Sequence, residues 1–319
     1  MRAPERIHDG VPARLADRFQ VPMPVPAMSL LRPLALALGF SLALAGCQTV
    51  AEAPAAAPGA PAAVPAHDNL NATAWLQQSA EAAMSHRQTW RSAARLLDAA
   101  LADPAWDALT PEDRIAPLAG LPPAIIVDMD ETVLDNSPYQ ARLIRDDARF
   151  DDATWNAWVA ERRARAVSGA PEFAREAARR GITMIYLTNR EHALNADSRA
   201  NLEALGFPPV GEGQILGLGM VTPGCEPKGS DKGCRRKWVS QRYRVLMQFG
   251  DQLGDFFSIA DNSPEGRAAG LQRFDAWVGE RWFMIANPTY GSWEPALYGN
   301  DRSLSPEAQR AAKRAALQY

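Results

Sequence analysis

A central parallel β-sheet flanked by helices, with a small, mostly helical insert, is the α/β fold this sequence predicts. Two observations carry it. Three apolar runs, at 124–127 (AIIV), 182–188 (ITMIYLT) and 244–249 (RVLMQF), lack the apolar/polar alternation of a half-solvated strand, so they read as strands covered on both faces. Each run ends in polar residues able to carry chemistry, and in open α/β sheets ligands bind at the carboxyl ends of strands. Composition agrees: 47 % hydrophobic and 22 % charged residues suit one folded unit over roughly 68–319. A formal net charge of −3 offers no argument for binding a nucleic-acid polymer.

In chain order, residues 1–27 hold Pro and Arg without a pattern. They are expected to be an upstream extension, with the true start at Met28. Residues 28–46 pair a basic start with an apolar stretch too short for a comfortable membrane span, which reads as a signal peptide. The run Leu44-Ala45-Gly46-Cys47 resembles the bacterial lipobox, so Cys47 is the expected lipidation site. Gln48 then resembles the outer-membrane sorting pattern, and the expected location is the bacterial envelope, held by more than one acyl chain. The Ala/Pro stretch that completes 47–67 has nothing large to bury and reads as an extended spacer.

From 71 to 101, apolar residues including Trp75, Trp90 and Leu97 recur at helical spacing, predicting one or two helices with both tryptophans in the core. The insert is expected at about 139–170. Residues 171–180 read as a helix stopped by Gly181, and 191–205 as a helix ending at Gly206.

The first strand runs into Asp128-Met129-Asp130-Glu131-Thr132. A carboxylate there can attack phosphorus and become an aspartyl phosphate, which splits a hard hydrolysis into two easier steps. A second carboxylate, two residues on, can protonate the leaving alcohol and then activate the water. Two such groups beside an anionic substrate call for a hard cation, and their oxygens suit Mg²⁺. The second strand ends in Thr188-Asn189-Arg190, where a hydroxyl and an amide can donate to phosphate oxygens. The third ends in Asp251 and Asp255, Asp251 being placed to complete a metal site. Between them the cluster from Lys228 to Arg236 opens a helix, and either Lys228 or Lys232 can neutralise a phosphoryl group. The remaining charge of this cluster, like that at 162–165, reads as solvated helix face.

Strand-end Asp-x-Asp, strand-end Thr, helix-borne Lys and strand-end Asp, in that order, resemble the haloacid dehalogenase (HAD) superfamily of aspartate-nucleophile phosphatases. DMDETVLDNSPY, YLTNR, GDQLGDF and NPTYGSWE, with LNATAWLQQSAE earlier, resemble its bacterial lipoprotein acid phosphatases, the class C enzymes grouped with class B, over roughly 69–297. The resemblance implies a Rossmann-like core and Mg²⁺-dependent hydrolysis of phosphomonoesters such as 5′-nucleotides. Asp128 is then the nucleophile, Asp130 the acid and base, and Lys232 the neutralising lysine. Thr188 and Asn189 hold phosphate. Asp128, Asp130 through its carbonyl, and Asp251 hold the metal, while Asp255 orients Lys232 or reaches the metal itself. An aromatic from the insert and one from the late loop sandwich the base in that family, and Trp155 and Tyr290 fit those places. An acidic optimum is expected, because Asp130 must be protonated when the leaving group departs.

Cys225 and Cys234 flank the lysine-bearing loop, and in an oxidising compartment such a pair reads as a disulfide. The four histidines build no rival site, and no P-loop motif is present. Two readings compete. One is the same scaffold acting on non-nucleotide sugar phosphates; the other is a surface lipoprotein serving as a binding module or adhesin with a vestigial site. The sequence is silent on oligomeric state.

Overall fold

The computed structural model describes residues 66–319. The expected extension at 1–27, the leader at 28–46, Cys47 and nearly all of the spacer lie outside the described residues. Three helices come first, α1 (Leu70–Gln78), α2 (Ala80–Ala94) and α3 (Leu97–Ala102), where the periodicity predicts one or two. Ser79 causes the first break: its backbone is extended and its side chain accepts the Ala82 N–H, capping α2. Trp90 is buried and stacks on Phe249 with ring centroids 4.3 Å apart. Trp75, expected in the core, is only half-buried and meets His86 edge-on.

The order then runs β1 (Pro123–Val127), β2 (Leu134–Asp135), α4 (Ser137–Arg145), α5 (Asp152–Ala160), β3 (Arg165–Ala166), α6 (Ala170–Arg179) and β4 (Thr183–Glu191). It continues with α7 (Asn195–Ala204), β5 (Ile215–Leu218), α8 (Gly233–Ser240), β6 (Arg244–Gly250), α9 (Pro264–Gln272), β7 (Trp282–Met284), α10 (Trp293–Ala296) and α11 (Pro306–Ala315). Gly181, at φ +70°, turns the chain between α6 and β4 in a conformation that side chains other than glycine's rarely adopt.

The main sheet has the order β5-β4-β1-β6-β7 with every pairing parallel. The three runs visible in the sequence are its three central strands. The edges, β5 and β7, are only four and three residues long, too short to show a pattern. Side chains alternate across β1. Ile125 and Val127 pack with Trp90 of α2 and Phe173 of α6, while Ala124 and Ile126 pack with Val239 of α8 and with Trp282. Each fully buried Ile or Val there contributes roughly 1.5–3 kcal/mol. A strand apolar on both faces is the direct result.

Register sets the site. Val127 pairs with Tyr186 on one side and Phe249 on the other, so the carboxyl ends of β1, β4 and β6 lie level. Between β1 and β4 stand α4, α5 and a two-stranded antiparallel ribbon of β2 and β3, over the segment read as the insert. Among the described residues no helix is long and apolar enough to cross a membrane.

Candidate active site

Asp128 directly follows β1, and its N–H donates to the Phe249 carbonyl at 2.9 Å, extending the strand ladder by one bond. Its carboxylate accepts from the Lys232 ammonium at 2.5 Å and from the Thr132 hydroxyl at 3.0 Å. Lys232 stands immediately before α8, is buried, and also donates to Asp255 at 2.7 Å. Lys228, the other lysine open on sequence grounds, is exposed.

Asp251 directly follows β6 and accepts from Gln252 Nε2 at 2.9 Å and Asn287 Nδ2 at 2.7 Å. Asp255 closes the short turn that comes next and accepts the Gln252 N–H at 2.9 Å. Gly250 makes this turn possible: a Cβ at that position would lie 2.3 Å from the Asp255 Cβ, so only glycine admits the carboxylate so close to the strand end.

Asp128, Asp251 and Asp255 offer carboxylate oxygens all within 4.8 Å of one another. Burial pushes Asp128 up to about 7, with Asp255 and Asp130 adding to the effect and Lys232 opposing it. Burial likewise lifts Asp251 well above the usual carboxylate range, with Asp128 and Asp255 adding repulsion. Burial also works against the charge on Lys232, but Asp128 and Asp255 outweigh it and hold the ammonium above its ordinary value. Among the described residues Lys232 is the one cation in an ion pair with any of these acids, reaching Asp128 and Asp255 but not Asp251. Crowded hard oxygens with surplus negative charge in a dry site fit a divalent cation.

Asp130 faces the other way. Its Oδ1 accepts from Asn136 Nδ2 at 2.9 Å and from Arg190 Nε at 2.9 Å, and its Oδ2 accepts from the Thr188 hydroxyl at 3.2 Å. The chain between the two aspartates and this network turns at Glu131, whose φ of +59° is uncommon for a residue other than glycine. The buried Glu131 carboxylate accepts the Asn136 N–H at 2.9 Å and the Tyr290 hydroxyl.

Thr188 and Asn189 lie in β4, which runs on to Glu191 rather than stopping at Thr188. Asn189 Oδ1 accepts from Arg235 at 2.7 Å, and Arg235 also donates to the Thr188 carbonyl. Trp155 is half-buried on α5, with its ring 5.2 Å from Tyr139 and 5.7 Å from the Arg190 guanidinium. Tyr290 is half-buried, with its hydroxyl held by Glu131. Cys225 and Cys234 are bonded to each other, the second lying two residues after Lys232.

The two basic clusters differ from their expected form. Arg235 and Arg236 are buried rather than solvated: Arg235 holds the strand-end turn, and Arg236 pairs with Asp113 at 2.5 Å. The 162–165 cluster is not a helix face, because α5 ends before it; Arg162 pairs with Asp197 and Arg165 with Asp135, each at 2.7 Å. Arg190, Asn136, Glu131 and Arg235 are the site neighbours that sequence reasoning gave no role. Arg190, Glu131 and Asn136 sit inside the quoted motifs and Arg235 inside the basic cluster, but none of them had been given a partner.

The family model of HAD superfamily, subfamily IIIB (Acid phosphatase) matches residues 55–293, and the chain belongs to that family. Among solved structures it is similar to the class C acid phosphatase from Bacillus anthracis with tungstate bound, at 29 % identity and a TM-score of 0.67. A second structure of the class C acid phosphatase from that organism matches at 30 % identity and a TM-score of 0.67. Each match covers 79 % of this chain and 97 % of the other. The molecule is a phosphomonoesterase of the acid phosphatase type.

Proposed function

We propose that this phosphatase is Mg²⁺-dependent, takes 5′-nucleotides among its phosphomonoesters, and works through a phospho-Asp128 intermediate. One observation carries the reading: Asp128 lies between a buried ammonium at 2.5 Å and two further carboxylates. Lys232 supplies positive charge for an incoming phosphoryl group, and Asp128, Asp251 and the Asp130 carbonyl would hold the metal, with Asp255 beside them. A bound Mg²⁺ would keep Asp128 ionised and offset charge on the phosphoryl oxygens.

An Asp128 oxygen then attacks phosphorus while the ester P–O bond breaks, and the Asp130 carboxyl gives its proton to the departing oxygen. In the second half Asp130 takes a proton from water as that water attacks the phospho-aspartate, which releases phosphate and restores Asp128. Without substrate the Thr188 hydroxyl donates to Asp130 Oδ2; when phosphate binds it would turn its one hydrogen to a phosphoryl oxygen, beside the Asn189 amide, which leaves Oδ2 open. The Bacillus anthracis relative was solved with tungstate bound, a tetrahedral oxyanion like phosphate, which supports an oxyanion-binding reading. Trp155 and Tyr290 are the proposed faces for a nucleobase, where stacking contributes about 1–3 kcal/mol per base. The proposed location is the cell envelope, through lipid on Cys47.

Protein beginning after Cys47 tests the chemistry by phosphate release from AMP and p-nitrophenyl phosphate, with Mg²⁺ or with EDTA. Release should need metal, and Asp128→Asn should lower kcat by about 10⁴-fold or more. Metal-independent release that survives Asp128→Asn would reject the reading.

A further inference from the structure

We propose that Arg190 is a positioning residue for the acid step: it fixes the Asp130 carboxyl so that only Oδ2 is free to carry the transferred proton. The proposal rests on the role given to Asp130 above. Arg190 is 1 % exposed, yet it is charged, so its partners must be close and complete. They are. The guanidinium forms an ion pair with Asp130 Oδ1 at 2.7 Å, and donates to Ser198 Oγ at 3.2 Å and to Asn136 Oδ1 at 3.2 Å.

The donors on Asp130 divide unequally. Oδ1 receives both Arg190 and Asn136, each of which can only donate there, so it has no room for a proton. Oδ2 receives only the Thr188 hydroxyl. That hydroxyl accepts the Arg190 backbone N–H at 3.0 Å, which aims its own hydrogen at Oδ2. Arg190 thus acts twice, through its side chain on one oxygen and through its backbone on the other. The oxygen left with spare capacity is the one that can take a proton and pass it on.

The same arginine ties this arrangement to the insert. Asn136 Oδ1 accepts from both Arg190 and the Trp158 ring N–H, the latter at 2.9 Å, and the Arg190 guanidinium lies 5.7 Å from the Trp155 ring. Helix α5 therefore holds the arginine, the arginine holds the carboxyl, and the acid is aimed by a part of the chain that does not touch phosphorus. When the proton leaves, the ester P–O bond has broken, the alcohol is complete, and Asp130 is a carboxylate whose charge the guanidinium already faces.

The test is leaving-group dependence, which a merely structural role would not move. A poor leaving group such as the alkoxide of 2-phosphoglycerol needs the proton; nitrophenolate leaves without it. Arg190→Met, Arg190→Lys and Asp130→Asn are compared for kcat/KM on both substrates with Mg²⁺ present, because kcat/KM reports phosphoenzyme formation and leaves out the water step that both substrates share, and circular dichroism checks folding. Asp130→Asn should lose about 10²-fold or more on the alkyl ester and far less on the nitrophenyl ester. Arg190→Met should show the same bias at about 10²-fold, and Arg190→Lys, a compact charge on a flexible stem in place of a planar fork, a bias of about 10-fold. If Asp130→Asn is biased while both Arg190 variants lose equally on the two substrates, or lose nothing, positioning by Arg190 is wrong and the acid role stands. If Asp130→Asn shows no bias, the acid role fails and takes this proposal with it. Should Arg190→Met not fold, Arg190→Lys alone decides by the same criterion.

Discussion

Two carboxylates two residues apart, on one loop, live in opposite surroundings. Asp128 faces the core side of the sheet end, against a single ammonium, a hydroxyl and two more acids. Asp130 faces the insert side, against a guanidinium fork, an amide and a hydroxyl. The left-handed turn at Glu131 lies just past the point where the two side chains part. The difference teaches that the motif alone assigns no roles. A compact ammonium suits a group that must present negative charge to phosphorus, whereas a planar fork fixes orientation.

The comparison can be broken from the Asp128 side. Lys232→Met removes the only cation paired with that carboxylate and with Asp255 among the described residues, and should lower kcat by about 10²–10³-fold on alkyl and nitrophenyl esters alike. A loss confined to one of the two substrates would erase the distinction between the aspartates.

A covalent tie separates the two sides further. The Lys232 loop is closed by Cys225–Cys234 across a sequence separation of 9, whereas the Arg190 side is held by packing, hydrogen bonds and the ion pair to Asp130. Replacing both cysteines by serine should cost about 2–3 kcal/mol in the chain-entropy account, a fall in Tm of about 5–10 °C. Activity should fall by a few-fold on both substrates. Calorimetry and a kcat measurement check this; an unchanged Tm would mean that the loop is held without the bond.

The smallest effect concerns the segment that carries Asn287 and Tyr290. His86 on α2 lies with Nε2 at 3.0 Å from the Ala286 carbonyl, and burial lowers its pKa, against the raising effects of that carbonyl and Asp135. The unfolded chain then binds the proton more readily than the folded one. Stability is therefore complete above pH about 6.5 and declines as pH falls below it. His86→Gln should flatten that decline in Tm between pH about 6.5 and 5 while leaving the neutral value within a few degrees. An identical slope in the variant would show that other groups set it.

How much of this was legible in the sequence depends on the length over which each signal is written. The three central strands are covered on both faces, so each shows an unbroken apolar run; β5 and β7 are too short for any run. Asp128, Thr188 and Asp251 were found because they sit within a residue or two of those runs' ends. Arg235 and Arg236 were misjudged because a charge cluster is solvated by default, and their partners Asn189 and Asp113 are 46 and 123 residues away. Arg190 was visible in its motif but not in its role. Its meaning depends on Asn136, Ser198 and Asp130, which only the folded chain brings together. Gly250 was a local signal left unused: a glycine at a strand end, followed by a carboxylate five residues on, marks a close approach.

The position of β1 in the middle of the sheet has a mechanical consequence. Its amides bond to a neighbour on each side, so they exchange with solvent only when the sheet itself comes apart. The short edge strands and the ribbon of β2 and β3 open more cheaply. Both aspartates hang from the segment that parts last, but Asn136, one residue beyond β2, leaves Asp130 as soon as the ribbon opens, so on warming the acid loses its setting before the nucleophile does.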